Sequence, residues 1–348
     1  MPVVWLIDAY RAGERGQVHA LVEALGWPSE TKMLGYRSHV VLPHVLGQST
    51  LRGISAESAA LLRPPWPDLV ISSGVRNEPV CRWIRAQSGG RTRYVHVGRP
   101  WAPLSSFDLV ITTPQYRVPP ASNVLNNVLT LHSVSTEHLA QARQEWESTF
   151  AALPRPRFAV MVGGDSGPFT LGPKAADRLG RETSQLARAH GGSLLVSTSA
   201  RTRPEAIDAL EAAIAAPSYF HRWRASGPAN PYMGMLAWAD RLIVTGDSIA
   251  MLSEACATGK PVTMFDLGGM RDPQDESERD IRLGGTLYAV LQRWFWQRLS
   301  RDITLVHRQL RAAGYAAWME EIPASARVPA ETDVQRAVAA VHKLFGQF

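Results

Sequence analysis

The chain has 348 residues, 45 % of them hydrophobic, and 37 Lys and Arg against 31 Asp and Glu, a formal net charge of +6. That is about twice the size of an ordinary domain, and too apolar and too modestly charged for a disordered chain. A mean hydropathy of −0.12, with no uncharged apolar run of about 18 residues, excludes a membrane-spanning helix.

The N-terminus reaches an acid at Asp8 before an apolar stretch of signal-peptide length has formed, so a cytoplasmic protein is expected. Strands are predicted at 3–8, 31–36, 68–72, 93–97, 108–112 and 128–131, with helices such as 17–25 and 78–87 between them. Several strands are continuous β-branched runs, the mark of a parallel sheet buried on both faces. A polar helix is predicted over 136–153, ending where Pro154 and Pro156 forbid continuation, and the domain boundary is placed there. A second alternation follows: strand 158–162, helix 174–190, strand 193–198, helix 204–215, strand 241–244, helix 249–258 and strand 262–265. Helix 334–344 has room to fold back across the domains. The fold class is α/β, with two Rossmann-like, doubly wound domains. Cys81 and Cys256 lie among apolar neighbours and read as buried free thiols.

The strongest local signal is Arg241-Leu-Ile-Val-Thr-Gly-Asp-Ser248, running on to Gly259-Lys-Pro261. It reads as a strand, a tight turn at Thr245–Ser248, a helix capped by Asp247 or Ser248, and a stop at Gly259 and Pro261. Its turn lies at the carboxyl end of a strand, where open α/β sheets bind ligands, and the helix N-terminus suits a diphosphate. At 3.6 residues per turn, Asp247, Met251 and Glu254 share one face, which aims the Glu254 carboxylate at a ribose diol. Gly163 and Gly164 follow another strand and permit close backbone approach to a ligand. In Ser197-Thr-Ser-Ala-Arg-Thr-Arg203, hydroxyls join Arg201 and Arg203 in a set that suits phosphate oxygens. Asn230 is a good N-cap and Pro231 a good first helical residue.

In the first half, Asp8–Gln17 joins the first strand to the first helix, with Gly13 and Gly16 spaced GxxG and with Glu14 and His19 as acid–base candidates. No GxGxxG, P-loop, HExxH or DxD pattern occurs, so NAD, ATP and metal sites are not indicated and no cofactor is expected. His96 and His132 read as structural histidines. Arg293-Trp-Phe-Trp-Gln-Arg298 interleaves basic and aromatic residues, which suits a membrane interface, although such rings are more often core. The mild basic excess does not indicate nucleic acid.

The two α/β halves resemble GT-B nucleotide-sugar glycosyltransferases. More closely, the chain resembles bacterial relatives of the mitochondrial fission "elongated mitochondria" family. The carrying residues are Asn230-Pro-Tyr232, Ala239-Asp240, Val244–Ser248, Met251, Ser253-Glu-Ala255 and Thr258–Val262, with Ser197-Thr-Ser199, Arg201-Thr202 and Gly163-Gly164. The match is specific in the second half and thin in the first. In the first loop the family pattern reads Arg-Pro-Gly-His-Glu-Asn-Gln, whereas this chain reads Arg11-Ala-Gly-Glu-Arg-Gly-Gln17, so the family's His falls on Glu14.

The resemblance implies a metal-independent glycosyltransferase that moves a sugar from a nucleotide-sugar donor (UDP, GDP, CMP or ADP type) to a glycan or lipid-linked acceptor. It implies residues 1–153 as an acceptor-side domain, 154–330 as the donor domain and 331–348 as a C-terminal helix crossing back, with a cleft between the domains. The implied donor residues are Gly163, Gly164, Ser199, Arg201, Thr202, Asn230, Tyr232, Thr245, Gly246, Asp247, Ser248, Met251 and Glu254. Glu14 is the implied base, with Gly13, Gln17 and His19 on the acceptor side. Peripheral contact with the inner membrane is a further expectation. A nucleotide-sugar 2-epimerase and a non-catalytic membrane-surface adaptor are the alternatives.

Overall fold

The computed structural model describes residues 1–37, 49–226, 229–272, 280–294, 300–321 and 332–346. The chain divides into two compact units, 1–133 with 330–348, and 134–329.

The first unit carries a six-stranded, all-parallel sheet of order β2-β1-β3-β4-β5-β6. The strands are β1 (Val4–Ile7), β2 (Ser29–Lys32), β3 (Leu69–Ser73), β4 (Arg93–Val97), β5 (Leu109–Thr112) and β6 (Val124–Asn126). Successive side chains point to opposite faces. Val4, Leu6, Leu69, Ile71, Val95 and Val97 therefore pack under helix α1 (Ala12–Leu25) and the C-terminal helix Asp333–Leu344. Trp5, Ile7, Val70, Tyr94 and Val110 pack under the helix Glu78–Gln87. Burial on both faces explains why these strands read as unbroken apolar runs.

The sequence and structure differ at three places here. Helix α1 starts at Ala12, so Gly13, Glu14 and Gln17 lie inside it and not in a loop. The strand expected over 31–36 is β2, shifted toward Ser29, and Tyr36 makes only an isolated bridge to Ile54. The strand expected over 128–131 is absent. Pairing instead stops at β6, and the N–H groups of Val128 and Leu129 donate to the Asp333 carboxylate at 3.3 and 2.7 Å.

The second unit repeats the plan with the order β12-β11-β10-β7-β8-β9, again all parallel. Its strands are β7 (Arg157–Met161), β8 (Ser193–Ser197), β9 (Ser218–His221), β10 (Arg241–Thr245), β11 (Val262–Phe265) and β12 (Ala317–Trp318). The sequence reading missed β9, which is half-exposed, and the two-residue β12. Helices Pro173–Ala189 and Pro204–Ala213 pack tightly because Gly180 has no side chain; a Cβ there would lie 2.6 Å from Ala213 Cβ.

The polar helix expected over 136–153 breaks at Trp146 into Thr136–Glu145 and Glu147–Phe150. It belongs to this second unit and not to the first, as placing the boundary at Pro154 had implied. The reason is packing. Trp238 donates its Nε1–H to the Arg143 carbonyl at 2.8 Å, the Arg143 and Arg157 guanidiniums stack on the Trp238 ring, and Trp146 fills the space beside Gly234. Cys81 and Cys256 are buried free thiols. No helix among the described residues is long and apolar enough to cross a membrane. The side chains of Arg293, Trp294, Phe295 and Arg298 lie outside the described residues, and with them the expected membrane contact.

Candidate functional site

In each sheet the strand order reverses once. In the second unit β7, β8 and β9 run one way from the centre and β10, β11 and β12 the other, so the switch point lies between β7 and β10. Open parallel sheets bind ligands at the carboxyl ends of the strands at such a point. The residues that leave β7 and β10 there are Gly163-Gly164 and Gly246-Asp247-Ser248.

They are bound to one another. Gly163 N–H donates to Thr245 Oγ1 at 2.8 Å, Gly164 N–H to Asp247 Oδ2 at 2.8 Å, and the Thr245 hydroxyl to Asp247 Oδ1 at 2.7 Å. Ser199 donates to the Gly163 carbonyl at 2.8 Å and accepts from Arg201 N–H at 3.3 Å, and Ser199 N–H donates to Thr202 Oγ1 at 2.9 Å. Arg201 lies across the top, with Nη2 3.0 Å from Asp247 Oδ2 and Nη1 donating to the Asp165 carbonyl at 3.0 Å. The structure therefore gathers Gly163, Gly164, Ser199, Arg201, Thr202, Thr245, Gly246, Asp247 and Ser248 at one edge.

Asp247 is not where its helical register suggested. It is 1 % exposed and faces the glycine pair, and no side chain caps the helix Ile249–Ala257. Burial pushes its carboxyl up, against the pull of Arg201, the Thr245 hydroxyl, the Gly164 N–H and Arg301. Nor do the glycines make room for a ligand alone. A Cβ on Gly163 would lie 2.2 Å from Asp247 Oδ2, and one on Gly164 2.2 Å from the Arg201 carbonyl oxygen.

Two turns along the same helix, Glu254 and Met251 are half-buried. Glu254 Oε2 accepts from the Tyr232 hydroxyl at 2.5 Å, a pairing that brings two sequence-named residues together. Burial pushes the Glu254 carboxyl up despite that bond. Asn230 acts one residue from the expected register: its Oδ1 accepts from Tyr232 N–H at 3.1 Å, and Pro231 is the cap rather than the first helical residue. Lys260 donates to the Leu236 and Ala237 carbonyls at 2.6 and 2.8 Å, ending helix Tyr232–Trp238, and burial pulls its ammonium down to about 8. Gly259, at φ +69°, takes the left-handed position predicted for it.

Sequence reasoning missed His307. Its Nε2 donates to the Gly246 carbonyl at 2.6 Å from a buried site, and desolvation there pulls the imidazole below its ordinary value. It comes from the helix Thr304–Ala313, 61 residues away, and no local pattern marks it.

In the first unit the switch point lies between β1 and β3. Glu14, in the first turn of α1, lies against the residue that follows β3: a Cβ on Gly74 (φ +85°) would be 3.0 Å from Glu14 Oε2. Arg11 Nη1 is 3.8 Å from Glu14 Oε1. His19 does not join Glu14 but pairs with Asp8, Nε2 to Oδ1, at 3.2 Å. Gln17 donates to the Gly13 carbonyl at 2.9 Å, an i→i−4 contact along the helix. No cluster of three metal-ligating side chains occurs among the described residues.

Two Rossmann-like units, each a six-stranded parallel sheet with polar residues at its topological switch point, make this a doubly wound α/β protein. The model of the mitochondrial fission ELM1 family matches residues 12–344, and the chain belongs to that family. It is 26 % identical over 302 residues to the mitochondrial fission protein ELM1 of Arabidopsis thaliana, covering 77 % of this chain and 70 % of that one. It is 24 % identical over 295 residues to an uncharacterized protein of Rickettsia prowazekii (strain Madrid E), covering 75 % and 82 %. Among solved structures it is similar to the UDP-GlcNAc 2-epimerase of Neisseria meningitidis bound to UDP-GlcNAc, at 12 % identity over 99 % of both chains with a TM-score of 0.48. It is also similar to Acinetobacter baumannii MurG, at 14 % identity over 99 % and 100 % of the two chains with a TM-score of 0.45.

Proposed function

We propose that the chain is a glycosyltransferase that moves a sugar from a nucleoside diphosphate donor to a glycan or lipid-linked acceptor, without a metal. The observation that carries this reading is the switch point of the second unit, where backbone N–H groups, the Ser199 and Thr202 hydroxyls and Arg201 are held together around Asp247. In this reading the donor diphosphate lies at the N-terminus of helix Ile249–Ala257, beside Thr245–Ser248 and Arg201, and a ribose hydroxyl donates to Glu254. Among the described residues, Glu254 Oε1 has no hydrogen-bond partner, so one carboxylate oxygen remains for the sugar.

The acceptor hydroxyl oxygen forms a bond to the anomeric carbon as the bond from that carbon to the diphosphate oxygen breaks. Arg201 and the helix dipole stabilise the charge that the diphosphate carries away, the part a divalent cation plays elsewhere. Glu14 takes the acceptor proton, as a carboxylate does when it is positioned for general-base work.

The test is a thermal-shift screen against UDP, GDP, CMP and ADP, followed by transfer assays with the nucleotide that stabilises most. One of them raises the melting temperature, Glu254→Ala removes most of that rise, and Glu14→Gln lowers transfer while leaving donor binding intact. If no nucleotide stabilises the protein, the donor reading fails. Release of nucleotide with an altered free sugar and no acceptor would instead identify an epimerase.

A further inference from the structure

The motif around residue 200 accounts for Arg201 and Arg203. Two more arginines, neither of them named by a motif, reach the same edge. Arg282 Nε lies 3.4 Å from Asp165 Oδ2, and its Nη2 donates to the Gly167 carbonyl at 3.3 Å. Arg301 Nη2 donates to Ser166 Oγ at 2.5 Å. Arg203 Nε is also 3.4 Å from Asp165 Oδ2, and Arg201 donates to the Asp165 carbonyl. Four guanidinium groups thus converge on three successive residues, 165–167, directly after the Gly163-Gly164 pair.

Among the described residues, the carboxylates paired with these arginines are Asp165, Asp247 and, 3.2 Å from Arg203 at the rim, Glu205. Arg201, Arg203 and Arg282 keep 43, 37 and 38 % of their side-chain surface open while their inner edges are held by protein oxygens. A guanidinium fixed on one edge and open on the other is already oriented for two phosphate oxygens, and the entropy of ordering it is spent before the ligand arrives. The turn itself is fixed. Leu171 N–H donates to Asp165 Oδ1 at 3.0 Å, Ser166 bridges to Phe169, and Gly167 at φ +59° lies against the Tyr288 ring, whose hydroxyl accepts from Arg301 N–H at 2.8 Å.

We propose that Arg282 and Arg301, with Arg201 and Arg203, form a clamp around the 165–167 turn that takes the diphosphate of a nucleoside diphosphate. The clamp deepens the nucleotide-sugar reading and rests on it for the identity of the nucleoside. It brings Arg282 and Arg301, two described residues between β11 and β12, into the donor site, where they are half of the arginines.

The test is calorimetric titration of the full chain with inorganic pyrophosphate and with the nucleoside diphosphate that gives the largest thermal shift. Both bind the wild type, and both lose about tenfold or more in affinity in Arg282→Gln and in Arg301→Gln, the loss typical of one charge-assisted hydrogen bond. Arg301→Lys retains the charge but not the fork and recovers only part of the loss. Melting of each variant without ligand checks that it folds. Unchanged affinities in folded variants overturn the clamp and leave the nucleotide-sugar reading standing. Pyrophosphate binding that depends on Arg282 and Arg301, with no nucleoside diphosphate binding better than pyrophosphate, supports the clamp and overturns that reading. Failure of the wild type to bind pyrophosphate or any nucleoside diphosphate overturns both.

Discussion

Gly163 and Gly164 lack side chains because oxygen atoms already occupy the space. A methyl on Gly163 must displace the Asp247 carboxylate, and with it the partner of Gly164 N–H and Arg201. Gly163→Ala should therefore lower stability by about 1–3 kcal/mol, the usual penalty for overpacking a closed site, and abolish nucleotide stabilisation. Melting curves with and without nucleotide check both. The pair is legible in sequence as a strand-end turn. What it admits is not, because Asp247 is 83 residues from Gly164 in the chain.

Glu78 and His96 form a second buried pair. Glu78 accepts from Trp101 and Ala102 N–H, both at 2.8 Å, and lies 3.8 Å from the Nε2 of the fully buried His96. Burial pushes Glu78 up to about 7 from 4.5 and pulls His96 down to about 4 from 6.5. A raised folded-state carboxyl loses stability as pH rises from 4.5 to 7, and a lowered imidazole gains it as pH rises from 4 to 6.5. The two oppose each other where the windows overlap. Relative to wild type, Glu78→Gln should gain stability on going from pH 4.5 to 7, and His96→Gln should lose it on going from pH 4 to 6.5, each by roughly 3 kcal/mol at most. Denaturant titrations across that range measure the difference. His96 as a structural histidine was legible in sequence; its partner Glu78, 18 residues away at the start of the helix Glu78–Gln87, was not.

Among the elements, α1 shows a local signal overruled by packing. Two glycines, each costing about 1 kcal/mol in a helix interior, made residues 12–16 read as loop. They are helical because Val18, Leu21 and Leu25 anchor the following turns in the core and nothing crowds Gly13 or Gly16. Residues 128–131 show the opposite case. Their apolar run reads as a strand, but Asp333, 204 residues from Leu129, takes the backbone donors that a neighbouring strand would have used. Asp333→Ala should leave those donors unpaired, Leu129 N–H among them, and destabilise the first unit by about 1–3 kcal/mol. Thermal melting checks it, with Asp333→Asn losing less.

Over the whole molecule, the same switch-point logic is used twice, once in each unit. If the donor binds only the second unit, hydrogen exchange should slow there and not at β1, β3 and β4. Protection should rise around 162–167, 198–203 and 245–252, by up to about 2.7 kcal/mol at a nucleotide concentration of 100 Kd. Equal protection of both units would refute that placement. The closing helix Asp333–Leu344 belongs to the first unit although it ends the chain, because Ala337 and Val341 complete the core over α1.

The sequence alone determined the two α/β halves, most strand positions and the stop at Gly259–Pro261. Burial on both faces of a parallel sheet writes an apolar run into the chain, and a left-handed turn demands glycine. Only the tertiary structure decided that Asp247 braces the glycine pair, that His307 holds the Gly246 carbonyl, and that Arg282 and Arg301 join Arg201 at one edge. Those contacts link residues tens to more than a hundred positions apart, and no local periodicity or spacing records which distant side chain a strand end will meet.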